Sequence, residues 1–335
     1  MQEKIVLAHG SGGKLSHDLV KRIFVSMFDN PILNQLDDRA ALEIAGKALA
    51  FSTDSFVVKP IFFPGGDIGK LAVCGTVNDI AMGGAKPLYL STGFIIEEGM
   101  PIEELERVVT SMKNAAGEAG VTIVTGDTKV VERGSCDRLF INTAGIGAVP
   151  EGVNISGANA RPGDKIIVNG YIGDHGIAVM AERHGLSFRE NLASDCAPLN
   201  GLVETMLAVS KSIRVLRDPT RGGLATTLNE IAQQSGVGIM IEEDKIPVRD
   251  EVRGVCEILG LDPLYVANEG KLIAIVPPEA AEKMVDAMTR HKYGYGTKII
   301  GEILPEPKGK VFLQTVIGGR RLLDMLTGDQ LPRIC

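Results

Sequence analysis

The chain contains no tryptophan, and its ten phenylalanines and five tyrosines make up only 4% of the residues. Few aromatic rings are therefore available to stack on the bases of single-stranded nucleic acid. Positive charge is also scarce, because 35 lysines and arginines stand against 42 acidic residues and leave a net charge of −7. Nucleic-acid-binding proteins usually carry a basic surface for the phosphate backbone, so the composition argues against this class of partner. An acidic protein can still bind nucleotides when Mg2+ lies between its carboxylates and the phosphates.

Long apolar runs are missing as well. No segment approaches the ~18 apolar residues of a membrane span, and the stretch MQEKIVLAHGSGG lacks the pattern of a signal peptide. The five cysteines are scattered, odd in number and without a C-x-x-C pair. This spacing argues against a disulfide framework or a zinc cluster and favours a reducing compartment, so we expect a cytoplasmic protein.

The length of 335 residues favours two domains. Strand-like apolar segments alternate with amphipathic helical segments in both halves, which predicts an α/β (α+β) fold. The polar, turn-rich stretch EGVNISGANARPGD lies between the halves. We therefore predict a first domain over residues 1–154, a second over residues 155–317 and a tail over residues 318–335, which ends in Cys335.

Aspartates beside small residues recur in five stretches: LDDRAAL, STDSF, TVNDIAMGG, VTGDTKV and LRDPTRGGL. One such aspartate is more often a turn residue or a helix cap. Five of them at the ends of separate elements are expected to converge on the edge of a sheet, where α/β proteins bind ligands. Carboxylates that repel one another attract a cation, and Mg2+ commonly bridges carboxylates and phosphate oxygens. The pattern thus predicts a magnesium–nucleotide site.

Two glycine-containing stretches are candidates for binding the phosphates. HGSGGK, residues 9–14, offers backbone N–H groups without Cβ atoms and one ammonium group. TRGGL, residues 220–224, offers Arg221 at an expected helix N-terminus. HGSGGK matches neither a Walker A loop nor a G-x-G-x-x-G fingerprint, and both stretches could be no more than flexible turns.

Together, HGSGGK, STDSF, NDIAMGGAKP, GDTKVV, GDHG, RDPTRGGL, NEGKL and the terminal PRIC resemble the HypE family of hydrogenase maturation factors. The wider ATP-binding superfamily includes aminoimidazole ribonucleotide synthetase, selenophosphate synthetase and thiamine-monophosphate kinase. NDIAMGG and GDT mark this superfamily, whereas GDTKVV with PRIC is more specific. The resemblance implies a two-domain PurM-like fold that dimerises through the sheet of its N-terminal domain and ends in a flexible tail.

In this family, the resemblance implies, the terminal thiol is a carrier. The carbamoyltransferase HypF would load Cys335 with a carbamoyl group, and the enzyme would use ATP and Mg2+ to dehydrate that group to a thiocyanate. The HypC–HypD complex would accept the cyanide for the iron of a [NiFe]-hydrogenase. A thiol that visits a transferase, its own ATP site and an acceptor needs a mobile terminus.

The resemblance also distributes roles among the candidate residues. Cys335 is the attachment point, and Glu269 and Lys129 are the candidates for proton removal, although a structural ion pair between them is the alternative. The candidate metal ligands are Asp37 or Asp38, which LDDRAAL does not distinguish, with Asp54, Asp79 and Asp218. The candidate nucleotide-binding residues are Gly10, Gly12, Gly13, Lys14, Asn78, Gly126, Asp127, Thr128 and Arg221. His175 is expected to be structural, and Cys74 and Cys256 to lie in the core.

Two other functions stay open at this stage. The ATP site could serve a diffusible small molecule, as in the kinase and ligase relatives, and Cys335 would then have no role. A non-catalytic adaptor or metal chaperone could use the thiol as a ligand. One thiol without a nearby histidine or cysteine is a poor metal site, and the aspartate stretches would remain unexplained.

Overall fold

A computed structural model describes residues 4–185 and 192–326. The N-terminal segment contains the short helices α1 (Lys14–Leu19) and α2 (Ser26–Phe28), which the π-helical residues Val20–Val25 join. The elements of the first half are β1 (Ala40–Ile44), β2 (Lys47–Phe56), β3 (Phe62–Phe63), β4 (Gly66–Asp67), α3 (Ile68–Met82), β5 (Lys86–Glu97), α4 (Ile102–Ala119), β6 (Thr122–Val131) and β7 (Leu139–Ala148).

The second half contains most of the remaining helices and strands of the described chain. They are β8 (Lys165–Val168), α5 (Asp174–His184), α6 (Asn200–Val209), β9 (Val215–Arg217), α7 (Gly223–Ser235), β10 (Gly238–Glu242), α8 (Asp250–Leu259), β11 (Ile273–Val276), α9 (Pro278–Thr289), β12 (Lys298–Leu304), β13 (Lys310–Gln314) and β14 (Arg320–Leu323).

The first sheet is mixed, with the strand order β1–β2–β7–β5–β6. Its β5–β6 pair is parallel and its other pairs are antiparallel. Helices α3 and α4 cover one face, and α3 is apolar on nearly all sides, which is typical of a helix enclosed by protein. Asp67 caps α3, because its Oδ1 accepts hydrogen bonds from the N–H groups of Gly69 and Lys70 at 2.7 and 3.1 Å.

The second sheet has the order β14–β13–β10–β12–β8–β11–β9. Its strand β11 is buried on both faces, which is why it consists of four consecutive apolar residues. Ile273 and Ile275 pack in the core that contains α7, whereas Ala274 and Val276 pack in the core that contains α6 and α9. Among the described residues, no helix is both long and apolar enough to span a bilayer.

The predicted tail begins at Gly318, but the second sheet continues beyond that point. Residues Arg320–Leu323 form β14, which pairs antiparallel with β13. A four-residue strand is too short for periodicity to reveal it. The predicted boundary between the domains falls within the connection between β7 and β8, and its exact position stays a prediction.

Candidate active site

Four of the predicted metal ligands meet where the two sheet domains pack together. Asp38 precedes β1, Asp54 lies within β2, Asp79 lies within α3, and Asp218 directly follows β9. The expectation that they gather at one sheet edge is therefore wrong, because a helix and strands of two different sheets supply them. We call these four residues the aspartate cluster.

Burial sets the electrostatics of the aspartate cluster. It raises the pKa of Asp38 and Asp79 well above the usual range, and Asp218 raises both further. Burial also raises the pKa of Asp218 to about 6, against the opposing effect of Arg217. The pKa of Asp54 is raised by burial and lowered by Arg221. Carboxyls that raise one another's pKa values in this way form a site that a cation stabilises.

Arg217 supplies the positive charge that is built into the cluster. Its Nε lies 2.8 Å from Asp38 Oδ1, and its other side contacts Glu230. Glu230 is shared with the N-terminal segment, because His17 Nε2 lies 2.9 Å from its Oε1. Asp37 Oδ1 accepts a hydrogen bond from the Gly157 N–H at 2.9 Å, and Asp37 lines the same cavity as Asp38. Asp38 is the better candidate for the metal site, because its carboxyl and those of Asp79 and Asp218 raise one another's pKa values.

A cavity of about 520 Å3 opens beside the aspartate cluster. Its wall combines acidic residues of both domains with the HGSGGK loop and the start of α7; it includes His9, Gly10, Gly12, Ser16, Asp38, Asp79, Arg217, Asp218, Arg221 and Glu230. The volume falls in the range of small-molecule sites in proteins. The cavity brings together the carboxylates, the glycine-rich loop and the guanidinium group that the sequence predicts for a nucleotide.

The HGSGGK loop is tightly fitted to its surroundings. A Cβ at Gly12, whose φ is +78°, would lie 2.4 Å from the Cβ of Arg221. Arg221 in turn places its Nη2 3.4 Å from Asp54 Oδ1. Ser16 Oγ accepts from the Gly12 N–H at 3.0 Å and donates to the His9 carbonyl at 2.7 Å. The loop is thus held by its contact with Arg221 and by the two hydrogen bonds of Ser16.

The other two candidates of this loop face the end of the described chain. The backbone N–H of Lys14 donates a hydrogen bond to the Leu326 carbonyl at 2.9 Å. A Cβ at Gly13 would lie 2.3 Å from the same carbonyl oxygen. Gly13 and Lys14 do not line the cavity.

The GDTKVV residues lie apart from the cavity. Gly126, Asp127, Thr128 and Lys129 belong to β6, an edge strand whose residues are exposed from Thr122 to Val130. Lys129 Nζ lies 3.1 Å from Asp127 Oδ2, and a hydrogen bond from Lys129 lowers the pKa of that carboxyl. Within one chain, Lys129 therefore pairs with Asp127 and not with Glu269.

Glu269 is buried between the aspartate cluster and residues 194–197. Burial raises its pKa well above the usual range, and Cys196 and Asp218 raise it further. Its backbone N–H donates to Asp195 Oδ1 at 3.0 Å. A carboxyl with a raised pKa is suited to exchange protons near neutral pH.

Asn78 holds this region together from α3. Its Nδ2 donates to the carbonyls of Ala197 and Glu269 at 3.1 and 3.3 Å, and its Oδ1 accepts from the Leu199 N–H at 2.7 Å. The side-chain amide is buried and used within the protein. This geometry disfavours the predicted role of Asn78 in nucleotide binding and indicates a structural one.

Sequence reasoning did not find Arg217, Glu230, His17 or Asp195. Arg217 could have been suspected, because it is adjacent to Asp218 in LRDPT. Glu230 and His17 lie on helices with no local sign that they meet, and their contact depends on tertiary packing.

The remaining candidates are one histidine and three cysteines. His175 is structural as predicted: it is buried, its Nδ1 lies 2.8 Å from Ser194 Oγ, and burial lowers its pKa to about 4. Cys74 and Cys256 are core residues as predicted. Cys335 lies outside the described residues.

The donor set of the cluster fits a hard cation that arrives with phosphate. In the described part of the chain, no group of three or more histidine, cysteine or acidic side chains is arranged to hold a metal on its own. Mg2+ usually takes one or two carboxylates and completes its shell with phosphate oxygens and water. The half-buried carboxylates beside the open cavity meet that requirement.

Comparisons with known proteins identify the family of this chain. Residues 36–149 match the N-terminal domain of the AIR synthase related protein family, and residues 161–314 match its C-terminal domain. The chain is 53% identical over 331 residues to carbamoyl dehydratase HypE of Azotobacter vinelandii, and the match covers 99% of this chain and 97% of the relative. It is 48% identical over 336 residues to carbamoyl dehydratase HypE of Escherichia coli, with 99% of each chain covered.

Two solved structures are similarly close. A HypE in complex with ATP is 54% identical with a TM-score of 0.84, and the match covers 99% of this chain and 100% of that chain. The HypE of a HypE–HypF complex is 52% identical with a TM-score of 0.88, and covers 92% of this chain and 99% of that chain. The chain belongs to the HypE family of carbamoyl dehydratases, within the AIR synthase related proteins.

Proposed function

We propose that this enzyme uses ATP to dehydrate a carbamoyl group on the Cys335 thiol to a thiocyanate, the cyanide donor for the iron of a [NiFe]-hydrogenase. One observation carries the proposal: Asp38, Asp79 and Asp218 of the aspartate cluster line a single cavity between the domains together with the glycine-rich loop and Arg221, and Arg221 contacts Asp54. The relative solved with ATP supports a nucleotide in that cavity. A diffusible substrate is not favoured, because the full-length relatives are carbamoyl dehydratases.

The chemistry requires two steps at one place. The oxygen of the thiocarbamate first attacks the γ-phosphorus of ATP and releases ADP, which turns that oxygen into part of a good leaving group. The C–O bond then breaks, phosphate departs, and the nitrogen loses both protons as the C≡N bond forms. The sum is removal of one water, with ATP converted to ADP and phosphate.

The aspartate cluster would bind the cation that accompanies the nucleotide, and Arg221 would neutralise part of the phosphate charge. Asp38, Asp54, Asp79 and Asp218 would hold Mg2+, which supplies Lewis-acid polarisation of the phosphates when bound. Arg221, which contacts Asp54, would bind a phosphate oxygen. Gly10 and Gly12 would let the nucleotide approach the backbone of the loop.

Proton removal from nitrogen falls to Glu269 in this proposal. It is buried beside the cluster, with its backbone held by Asp195 and Asn78. Lys129 and the neighbouring residues Gly126, Asp127 and Thr128 lie on exposed β6, so they could act only if another surface brought a site to them.

A second copy of the chain would provide that surface. The open face of the first sheet carries a row of partly exposed apolar residues, because Phe51, Ile146 and Tyr89 are cross-strand neighbours with exposures of 38, 39 and 48%. Apolar patches of this kind mark interaction sites. We therefore propose a homodimer that packs these sheets together and places β6 near a nucleotide site.

The partners follow from the same chemistry. The relative solved with HypF supports HypF as the carbamoyl donor of this chain. We further propose the HypC–HypD complex as the cyanide acceptor and the cytoplasm as the compartment, in line with the scattered free cysteines.

Intact-protein mass spectrometry tests the proposal. Incubation with HypF, carbamoyl phosphate and ATP should add the mass of HNCO to the chain, and the loss of one water should follow. Cys335→Ala should bind ATP and show neither change. Asp79→Asn should accept the carbamoyl group but not lose water. Modification of Cys136 instead of Cys335, or unimpaired dehydration by Asp79→Asn, would refute the assignment.

A further inference from the structure

The backbone conformation of Gly13 does not explain why a glycine occupies this position. Its φ of −81° and ψ of −167° are open to any residue. A Cβ here would lie 2.3 Å from the carbonyl oxygen and 3.2 Å from the Cβ of Leu326. The first of these distances is shorter than real Cβ contacts, so a side chain at Gly13 would displace Leu326. The missing Cβ makes room for the backbone of Leu326 and not for a strained turn.

The contact between Lys14 and Leu326 completes this arrangement. The Lys14 N–H is one of the first donors of a helix, which has no partner within the helix itself. It donates to Leu326 at 2.9 Å. Gly13 and the Lys14 N–H therefore form a seat for one peptide carbonyl, and we call them the Leu326 seat.

The path from β14 to the Leu326 seat is held at successive residues. Asn229 Nδ2 donates to the Leu323 carbonyl at 3.0 Å, Tyr265 Oη donates to the Asp324 carbonyl at 2.8 Å, and Gln233 Nε2 lies 3.9 Å from Met325 Sδ. Asn229 and Gln233 belong to α7, the helix that also carries Glu230 of the site. The chain is thus led along α7, which supplies Glu230 and Gln233 to the cavity wall, to the glycine-rich loop.

We propose that Gly13 is a positioning residue for Cys335: the Leu326 seat fixes the root of the carrier segment beside the nucleotide cavity. The proposal rests on the function proposed above. Nine residues, 327–335, follow Leu326, and an extended chain spans at most about 3.5 Å per residue, so Cys335 stays within about 30 Å of the seat. A short tether of this kind raises the effective concentration of the thiol at the site.

The proposal differs from the usual role of a glycine in a phosphate-binding loop. If Gly13 serves the phosphates, a side chain there weakens ATP binding whether or not the carrier segment is present. If Gly13 seats Leu326, a side chain there leaves the ATP KM nearly unchanged and slows the reaction of the tethered group. The two roles therefore separate in the split between KM and kcat.

Gly13→Ala in the full-length chain provides the kinetic test. We expect kcat for dehydration of the carbamoylated protein to fall about tenfold or more, because misplacing a reacting group by 1 Å can cost about a hundredfold, while the ATP KM stays within about twofold. The matched control is Gly117→Ala, within α4, where an added Cβ meets nothing within 4 Å. Unchanged kcat in Gly13→Ala would overturn the proposal.

Hydrogen–deuterium exchange of the peptide covering residues 9–19 tests the seat without any reaction. Exchange should rise in Gly13→Ala and in a chain that ends at Met325, but not in Gly117→Ala. The chain that ends at Met325 also distinguishes a direct effect of Gly13→Ala on ATP binding from an effect through Leu326, which this chain lacks. An increase in ATP Kd above tenfold on adding Gly13→Ala to it would show that Gly13 serves the phosphates. Absence of thiocyanate from the wild-type chain would instead refute the proposed function, and the exchange measurement would still test the seat.

Discussion

Asp218→Asn should make the metal-free protein more stable at pH 8. Burial raises the pKa of Asp218 from 3.8 to about 6, in opposition to Arg217. A difference of about two pKa units between the folded and unfolded states corresponds to about 3 kcal/mol at a pH where both states are ionised. The amide keeps the shape of the side chain and removes the buried charge, so up to about this much free energy of unfolding should be recovered.

The sign of the stability difference between wild type and Asp218→Asn depends on pH. Between the unfolded pKa and the folded value of about 6, the folded state binds more protons at Asp218 than the unfolded state. The contribution of this group to stability is therefore fully present below the unfolded pKa and is lost as the pH rises through 6. Wild type and Asp218→Asn should be nearly equal in stability at pH 4, and the variant should lead at pH 8.

Urea unfolding in EDTA, followed by circular dichroism at both pH values, measures the difference. Asp286→Asn is the control, because Asp286 is exposed on α9. Mg2+ with ATP should raise the urea midpoint of wild type at pH 8 and raise that of Asp218→Asn much less. A variant that is less stable than wild type at pH 8 would refute the reasoning, since the carboxylate would then be needed as a structural acceptor.

Three further substitutions test the architecture. Asn78→Leu leaves the Leu199 N–H and two carbonyls without their partner, and should cost about 3 kcal/mol in urea unfolding. A loss below about 1 kcal/mol would contradict the structural role of the amide. Gly65→Ala introduces a Cβ 2.7 Å from the Ser194 backbone at a φ of +89°, and should lower the free energy of unfolding by about 2 kcal/mol. Ile146→Lys charges the middle of the apolar row on the first sheet, and should give monomers by light scattering where wild type gives dimers.

Local pattern predicted much of the fold. The alternation of amphipathic helical segments and strand-like apolar segments predicts the α/β class, and α4, β5, β8 and β11 are elements of these two kinds. These elements depend on residues that are close in sequence, so the local pattern of apolar residues predicts them. The short strand β14 and the course of the chain at Leu326 depend on contacts with β13 and the HGSGGK loop, and periodicity does not carry that information.

The candidate site was predicted in its composition but not in its construction. Aspartates and glycines beside one another pointed to metal and phosphate chemistry, and Asp38, Asp79 and Asp218 do line one cavity. The assumption that sheet edges would gather them fails for Asp79, which lies inside a helix. Arg217 could not be assigned, because its value to the site depends on burial next to carboxylates that are distant in sequence.

The adjacent residues Asn78 and Asp79 show how one motif can serve two tasks. Successive side chains on a helix point about 100° apart, so neighbours in sequence face different surroundings. Asn78 faces the second domain and bonds the segments of Ala197 and Glu269, whereas Asp79 accepts a hydrogen bond from Ser52 Oγ at 2.7 Å and faces the cluster. The helix α3 thus fixes the second domain, and with it Asp218 and Glu269, relative to the aspartates of the first. In this fold the motif supplies one candidate ligand, Asp79, and through Asn78 it also supplies the contacts that hold the candidate residues of the second domain in place.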